Sequence, residues 1–166
     1  MPKYTARQIV WFAVGAMAMG ALFVTTILVF GGDQMLRNAR AISGFSVDDV
    51  AKAKEFYGTT LGLDVADAPL GVEGADVPTG LEIRFANGMT SLIYPKPDHT
   101  PATFTILNFV IDDIERAVDE LTARGVKFEH YTEPRTDAKG IHRTPEVRPV
   151  AWFRDPAGNI LSLVEA

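Results

Sequence analysis

Few side chains in this 166-residue chain pair a reactive group with a setting in which it could act. His130 follows Glu129 and precedes Tyr131 in an apparent strand, and an imidazole is the natural acid or base near neutral pH. His99 and His142 fall in polar stretches and read as solvated. Asp48-Asp49 and Asp112-Asp113 look like an acidic cluster. Each pair precedes a helical pattern, however, where a carboxylate accepts orphan N–H groups, and that role accounts for them without catalysis. Tyr94, Asn108 and Ser162 are polar points within apolar strands, groups that orient a ligand rather than attack it. There is no cysteine, which excludes thiolate metal sites and a thiol nucleophile. No nucleophile triad, phosphate-cradling glycine loop or compact His/carboxylate ligand motif occurs.

The elements that must position these groups fall into a repeat. Phe45–Leu63 and Phe109–Val126 share one plan: a short apolar strand, an Asp-Asp pair, an amphipathic helix, then a glycine before another apolar strand. In the first copy Ala41–Val47 reads as a strand, and Asp48 or Asp49 caps a helix carrying Val50, Ala53 and Tyr57. Leu61–Val65 opens a second strand, 67–80 reads as a loop, and Leu81–Phe85 and Met89–Tyr94 form a hairpin. Its Asn87-Gly88 pair suits a type I′ turn. In the second copy Thr103–Val110 is a strand. Asp112 and Glu115 have capping-box spacing, with Ile114, Ala117, Val118 and Leu121 on one face. Val126–Tyr131 is a strand, Thr132–Pro149 a long surface loop, and Val150–Arg154 and Ile160–Val164 a hairpin closed by Asp155-Pro-Ala-Gly-Asn159.

Apolar residues make up 47% and charged residues 22%, enough for a sizeable core. The net charge of −5, with no basic run, argues against a nucleic-acid partner. Ile9–Phe30 has no charged residue. As a helix it would span about 33 Å, enough for a bilayer core. The sequence therefore predicts a membrane anchor and linker over 1–34, a domain over 35–166, and single-pass localisation with the lipid bilayer as partner. If Met35 is the true start, the chain is cytoplasmic instead.

Val47-Asp-Asp-Val with Phe56-Tyr57 and Leu61-Gly-Leu63, Val110-Ile-Asp-Asp113 with Ala117 and Gly125-Val126, and Arg154-Asp-Pro-Ala-Gly-Asn-Ile160 resemble the glyoxalase/bleomycin-resistance/extradiol-dioxygenase superfamily, the vicinal oxygen chelate fold. The resemblance implies an α+β architecture. Two βαβββ modules, about 41–97 and 103–165, would each curl into a half-barrel and together enclose a cleft, and members often form homodimers. Metal-dependent relatives hold their ion at four strand positions, which correspond here to Ile42, Leu92, Ile106 and Ser162. A divalent ion needs lone-pair donors, which three of these lack. The expectation is a cleft without the usual metal and without another cofactor.

Period-two alternation then turns Ser46, Thr90, Tyr94, Asn108 and Ser162 toward that cleft; Trp152 either floors the pocket or fills the half-barrel as a core aromatic. The leading reading is a metal-independent protein that binds a small organic molecule. The alternatives are a glyoxalase-like lyase, isomerase or oxygenase-type enzyme using Tyr94, Asn108 or His130, and a membrane-tethered interaction module.

Overall fold

The computed structural model describes Arg37, Ala39, residues 41–72 and residues 76–166. Contacts divide the chain into Met1–Ala39 and Arg40–Ala166, and the sheets and helices belong to the second unit. The expected anchor Ile9–Phe30 lies outside the described residues. Among the described residues no helix is long and apolar enough to cross a membrane.

The first module runs β1 (Ser43–Val47), α1 (Val50–Lys54, continued by a π-helical stretch Glu55–Thr60), β2 (Asp64–Pro69), β3 (Thr79–Arg84) and β4 (Thr90–Pro95). The second runs β5 (Thr105–Ile111), α2 (Ile114–Ala123), β6 (Ile141–Thr144), β7 (Val147–Arg154) and β8 (Ile160–Glu165). The sheets have orders β1-β4-β3-β2 and β5-β8-β7-β6, with β1–β4 and β5–β8 parallel and the other pairs antiparallel. This is one βαβββ unit used twice. Both helices start on a carboxylate: Asp49 accepts from Lys52 N at 3.0 Å and Asp113 from Arg116 N at 2.9 Å. The second cap is therefore Asp113 and not Asp112. Glu115 instead pairs with Lys139 and Arg143.

Both hairpins turn the same way. Gly88 N donates to Phe85 O and Gly158 N to Asp155 O, and the glycines have φ of 80° and 86°. Each is a three-residue loop with one left-handed position, in place of the two-residue type I′ turn expected at Asn87-Gly88. The expected strand Val126–Tyr131 contributes only the bridge Phe128↔Phe153. The fourth strand is β6, from inside the expected loop Thr132–Pro149. Ile141-His-Arg-Thr carries one apolar residue, so it has no period-two signature. A turn builds it: Asp137 Oδ1 accepts from Lys139 N and Ile141 N, and Gly140 sits at φ 79°.

One core serves both modules. It joins Val47, Leu81, Ile83 and Ile93 of the first sheet, Ala53, Tyr57, Ile114 and Val118 of the helices, and Ala151, Phe153, Leu161 and Leu163 of the second sheet. The helices lie between the sheets, and each sheet turns its odd-numbered strand face inward. The alternate face of each sheet, which the sequence assigns to an enclosed cleft, points outward. Tyr94 (38% exposed) and Val110 (65%) show this. A single chain thus leaves two open sheet faces, because the helix-bearing sides hold the apolar area that must be buried.

A buried polar chain crosses the module boundary. Tyr57 donates its hydroxyl to Asp155 Oδ2 at 2.8 Å, Asn159 N and Nδ2 donate to Asp155, and Nδ2 also donates to Ser46 O. Burial, then the Asp155 charge, pushes the Tyr57 phenol above its ordinary pKa of 10.0. The unfolded chain releases that proton above about pH 10, whereas the folded chain retains it. The stabilisation is therefore complete below pH 10 and is lost as pH rises beyond it. Urea unfolding should show a Tyr57→Phe loss of about 1 kcal/mol at pH 7, with the Tyr57-dependent alkaline decline removed. Asp155→Ala, which strands several donors, should cost about 3 kcal/mol.

Candidate functional site

The outer face of the second sheet concentrates the polar and aromatic groups. Register aligns Asn108 on β5, Ser162 on β8 and Trp152 on β7, across three neighbouring strands. Ser162 is fully buried, and its Oγ donates to Asn108 Oδ1 at 2.6 Å. That bond uses one acceptor site of the exposed Asn108 and fixes its amide, so its two N–H donors suit a bound molecule. Trp152 is half-buried. Its ring meets Tyr131 edge-on at 5.7 Å and the His142 ring at 6.2 Å. Beside it a cavity of about 180 Å³ is lined by Phe104, Thr105, Tyr131, Trp152 and Ile160, all from this module.

The sequence-predicted residues divide between the two sheets. Ser46 lies opposite Tyr94 on β1 and β4, and Thr90 lies opposite Arg84. Ser46 is already engaged: its Oγ is 2.8 Å from His99 Nδ1, while His99 Nε2 is 3.1 Å from Ala157 O. A carbonyl only accepts, so Nε2 carries a proton and, in the neutral ring, Nδ1 accepts from Ser46. His99 is therefore a half-buried link between modules and not the solvated loop residue expected. Tyr94, Asn108 and His130 do not converge. Tyr94 is on the first outer face and Asn108 on the second. His130 is exposed beside Asp119 and Lys139 of a separate depression.

Sequence reasoning missed His142 and Tyr131. His142 sits on β6, whose existence depends on the Asp137 turn, and its Nδ1 lies 2.8 Å from Arg135 O. The imidazole must donate there, which leaves Nε2 with the lone pair when the ring is neutral.

The four positions that the resemblance assigns to metal ligands carry side chains that do not suit a divalent ion. Ile42 and Leu92 are hydrocarbon, and Ser162 offers one neutral, fully buried hydroxyl, a poor ligand on its own. Ile106 falls where the β5–β8 register shifts between Thr105 and Leu107, and it packs against the core. This bulge breaks the alternation that placed it in the cleft. Among the described residues no cluster of three His, Asp or Glu could hold a metal.

The segment bordering the site is pinned by charge. Asp137 accepts from two backbone N–H groups and pairs with Arg143. Lys139 bridges to Glu115 and Asp119 on α2. Burial alone would push the Asp137 carboxyl up, but the Ile141 and Lys139 amides and the Arg143 guanidinium outweigh it and hold the pKa down. Its contribution is therefore present above the usual carboxylate range and is lost as pH falls through the lowered pKa. Hydrogen exchange should show Ile141 amide protection intact at pH 6 and fading below about pH 4. In Asp137→Ala it should be low throughout.

The model of the Glyoxalase/Bleomycin resistance protein/Dioxygenase superfamily matches residues 41–163. No curated protein matches the chain. Among solved structures, TnmS3, an antibiotic binding protein from Streptomyces sp. CB03234, is 28% identical with a TM-score of 0.55 over 77% of this chain and 97% of that one. A glyoxalase/bleomycin resistance protein from the same organism is 29% identical, with a TM-score of 0.51 over 75% and 99%. A superfamily member from Sphaerobacter thermophilus shares the fold at 22% identity, with a TM-score of 0.59 over 77% and 98%.

Proposed function

The chain belongs to the Glyoxalase/Bleomycin resistance protein/Dioxygenase superfamily, and on that premise we propose that it binds a small aromatic organic molecule without a metal. The observation that carries this reading is the Asn108–Ser162–Trp152 row on an open sheet face. Trp152 and Tyr131 offer π surface, Ile160 and Phe104 offer apolar contact, and Asn108 offers directional donors. The likeness to an antibiotic binding protein supports a small organic ligand, and the ring faces of Trp152 and Tyr131 favour an aromatic one. An enzymatic reading through Tyr94, Asn108 and His130 has less support, because these groups occupy three separate surfaces.

The site is completed by a second copy. Tyr94 and Ile42 (58% exposed) leave apolar surface on the first outer face, and Phe104 (69%) and Val110 leave it on the second. A two-fold homodimer brings the first face of one copy over the second face of the other, twice, burying both. Tethering of this assembly to a membrane through Ile9–Phe30 belongs to the same proposal.

Native mass spectrometry against a panel of aromatic antibiotics and metabolites tests the reading. The expected result is ligand bound to a dimer, retained after dialysis with a chelator, and weakened at least tenfold by Trp152→Ala. Asn108→Ala should weaken it several-fold. Loss of binding on chelation, or retention at full strength in the Trp152→Ala protein, would overturn it. Tyr94→Asp should shift the protein toward monomer in sedimentation and weaken binding with it.

A further inference from the structure

A second cavity, of about 240 Å³, lies on the helix side of the molecule, away from the sheet face described above. Leu61, Leu63, Phe109, Leu121 and Phe153 line it, and Glu120 and Arg124 stand among its lining residues at the end of α2. The volume exceeds the 150 Å³ of an apolar cavity that accepts benzene, so it suits one ring with a short substituent. The charged groups narrow the chemistry. Among the described residues Arg124 makes one side-chain hydrogen bond, from Nη1 to Thr60 O at 3.3 Å, and no ion pair. Glu120 has only a loose pair with Arg116, at 3.9 Å. The two are not paired with each other, although they are four residues apart on one helix face. An anion alone would meet Arg124 but face Glu120 and the negative end of the α2 dipole. A cation alone would meet Glu120 but face Arg124. A zwitterion satisfies both.

We propose that this cavity binds a free α-amino acid with a single-ring or branched apolar side chain. The side chain enters between Leu61, Phe109 and Leu121, the carboxylate meets Arg124, and the ammonium meets Glu120. The cavity lies between the modules, where Leu61 and Leu63 of the first face Phe109 and Phe153 of the second. Occupancy would therefore brace their contact.

Calorimetry on the full-length chain in matched detergent, with L-phenylalanine as probe, tests the proposal. One site per chain is expected, with N-acetyl-L-phenylalanine and L-phenylalaninamide each at least tenfold weaker. Glu120→Gln should abolish the preference over the N-acetyl compound, and Arg124→Gln the preference over the amide. Both side chains are exposed, so the fold should tolerate either change. Methyl NMR of the same sample locates the site: Leu61, Leu63 and Leu121 signals should move, while Ile160, on the sheet face, should not. Equal heats from the three probes, no heat from L-phenylalanine, or shifts at Ile160 in place of the leucines would overturn the proposal. Of these results, only a shift at Ile160 bears on ligand binding at Trp152, whose cavity Ile160 lines.

Discussion

The Tyr57–Asp155 hydrogen bond holds the architecture together. It joins the end of the first helix to the turn between the last two strands, across 98 residues of sequence, inside the core. Asp155 also accepts from Asn159, and Asn159 reaches back to the carbonyl of Ser46. Apolar contact alone would let the two modules slide, since packing forces have little directionality. A buried carboxylate must keep its donors, so the modules have one relative position in which every group is satisfied. Phe56 against Phe153 and Phe85 against Phe109 then fill the contact that the polar chain has oriented.

That fixed contact decides which surfaces stay open. Because both helix-bearing sides face the common core, the chemically varied sheet faces are left outward. The helix side keeps a gap that Leu61, Phe109 and Leu121 do not close. The outer faces have also diverged from one another. Gly44 opposite Leu92 on the first sheet corresponds to Asn108 opposite Ser162 on the second. The repeat has preserved its strands and caps while placing the hydrogen-bonding pair on one face only.

The fold was legible because its signals are local. Asp49 and Asp113 precede helices, Gly88 and Gly158 close hairpins, and period-two strands alternate around them. The site was less legible, for two physical reasons. β6 owes its place to the Asp137 turn and to one buried residue, Ile141, so no pattern in Ile141–Thr144 announces it, and His142 was misplaced with it. Ile106 was misassigned because a register shift is a property of two strands together, and one strand's alternation cannot reveal it. Ser46 and His99 were misjudged for a related reason: their partners lie 53 and 58 residues away.

The outward orientation of the sheet faces separates two kinds of selection. Residues of the inner faces answer to the core, where a lost methylene is felt throughout the packing. Ile42, Leu92, Tyr94 and Val110 point away from that core, and exchanging them leaves the helix packing untouched. A lineage built on this plan can lose metal donors, acquire aromatic surface, or exchange one ligand for another without first finding a compensating change inside. The chemistry of the outer face is thus free to drift at nearly constant foldability.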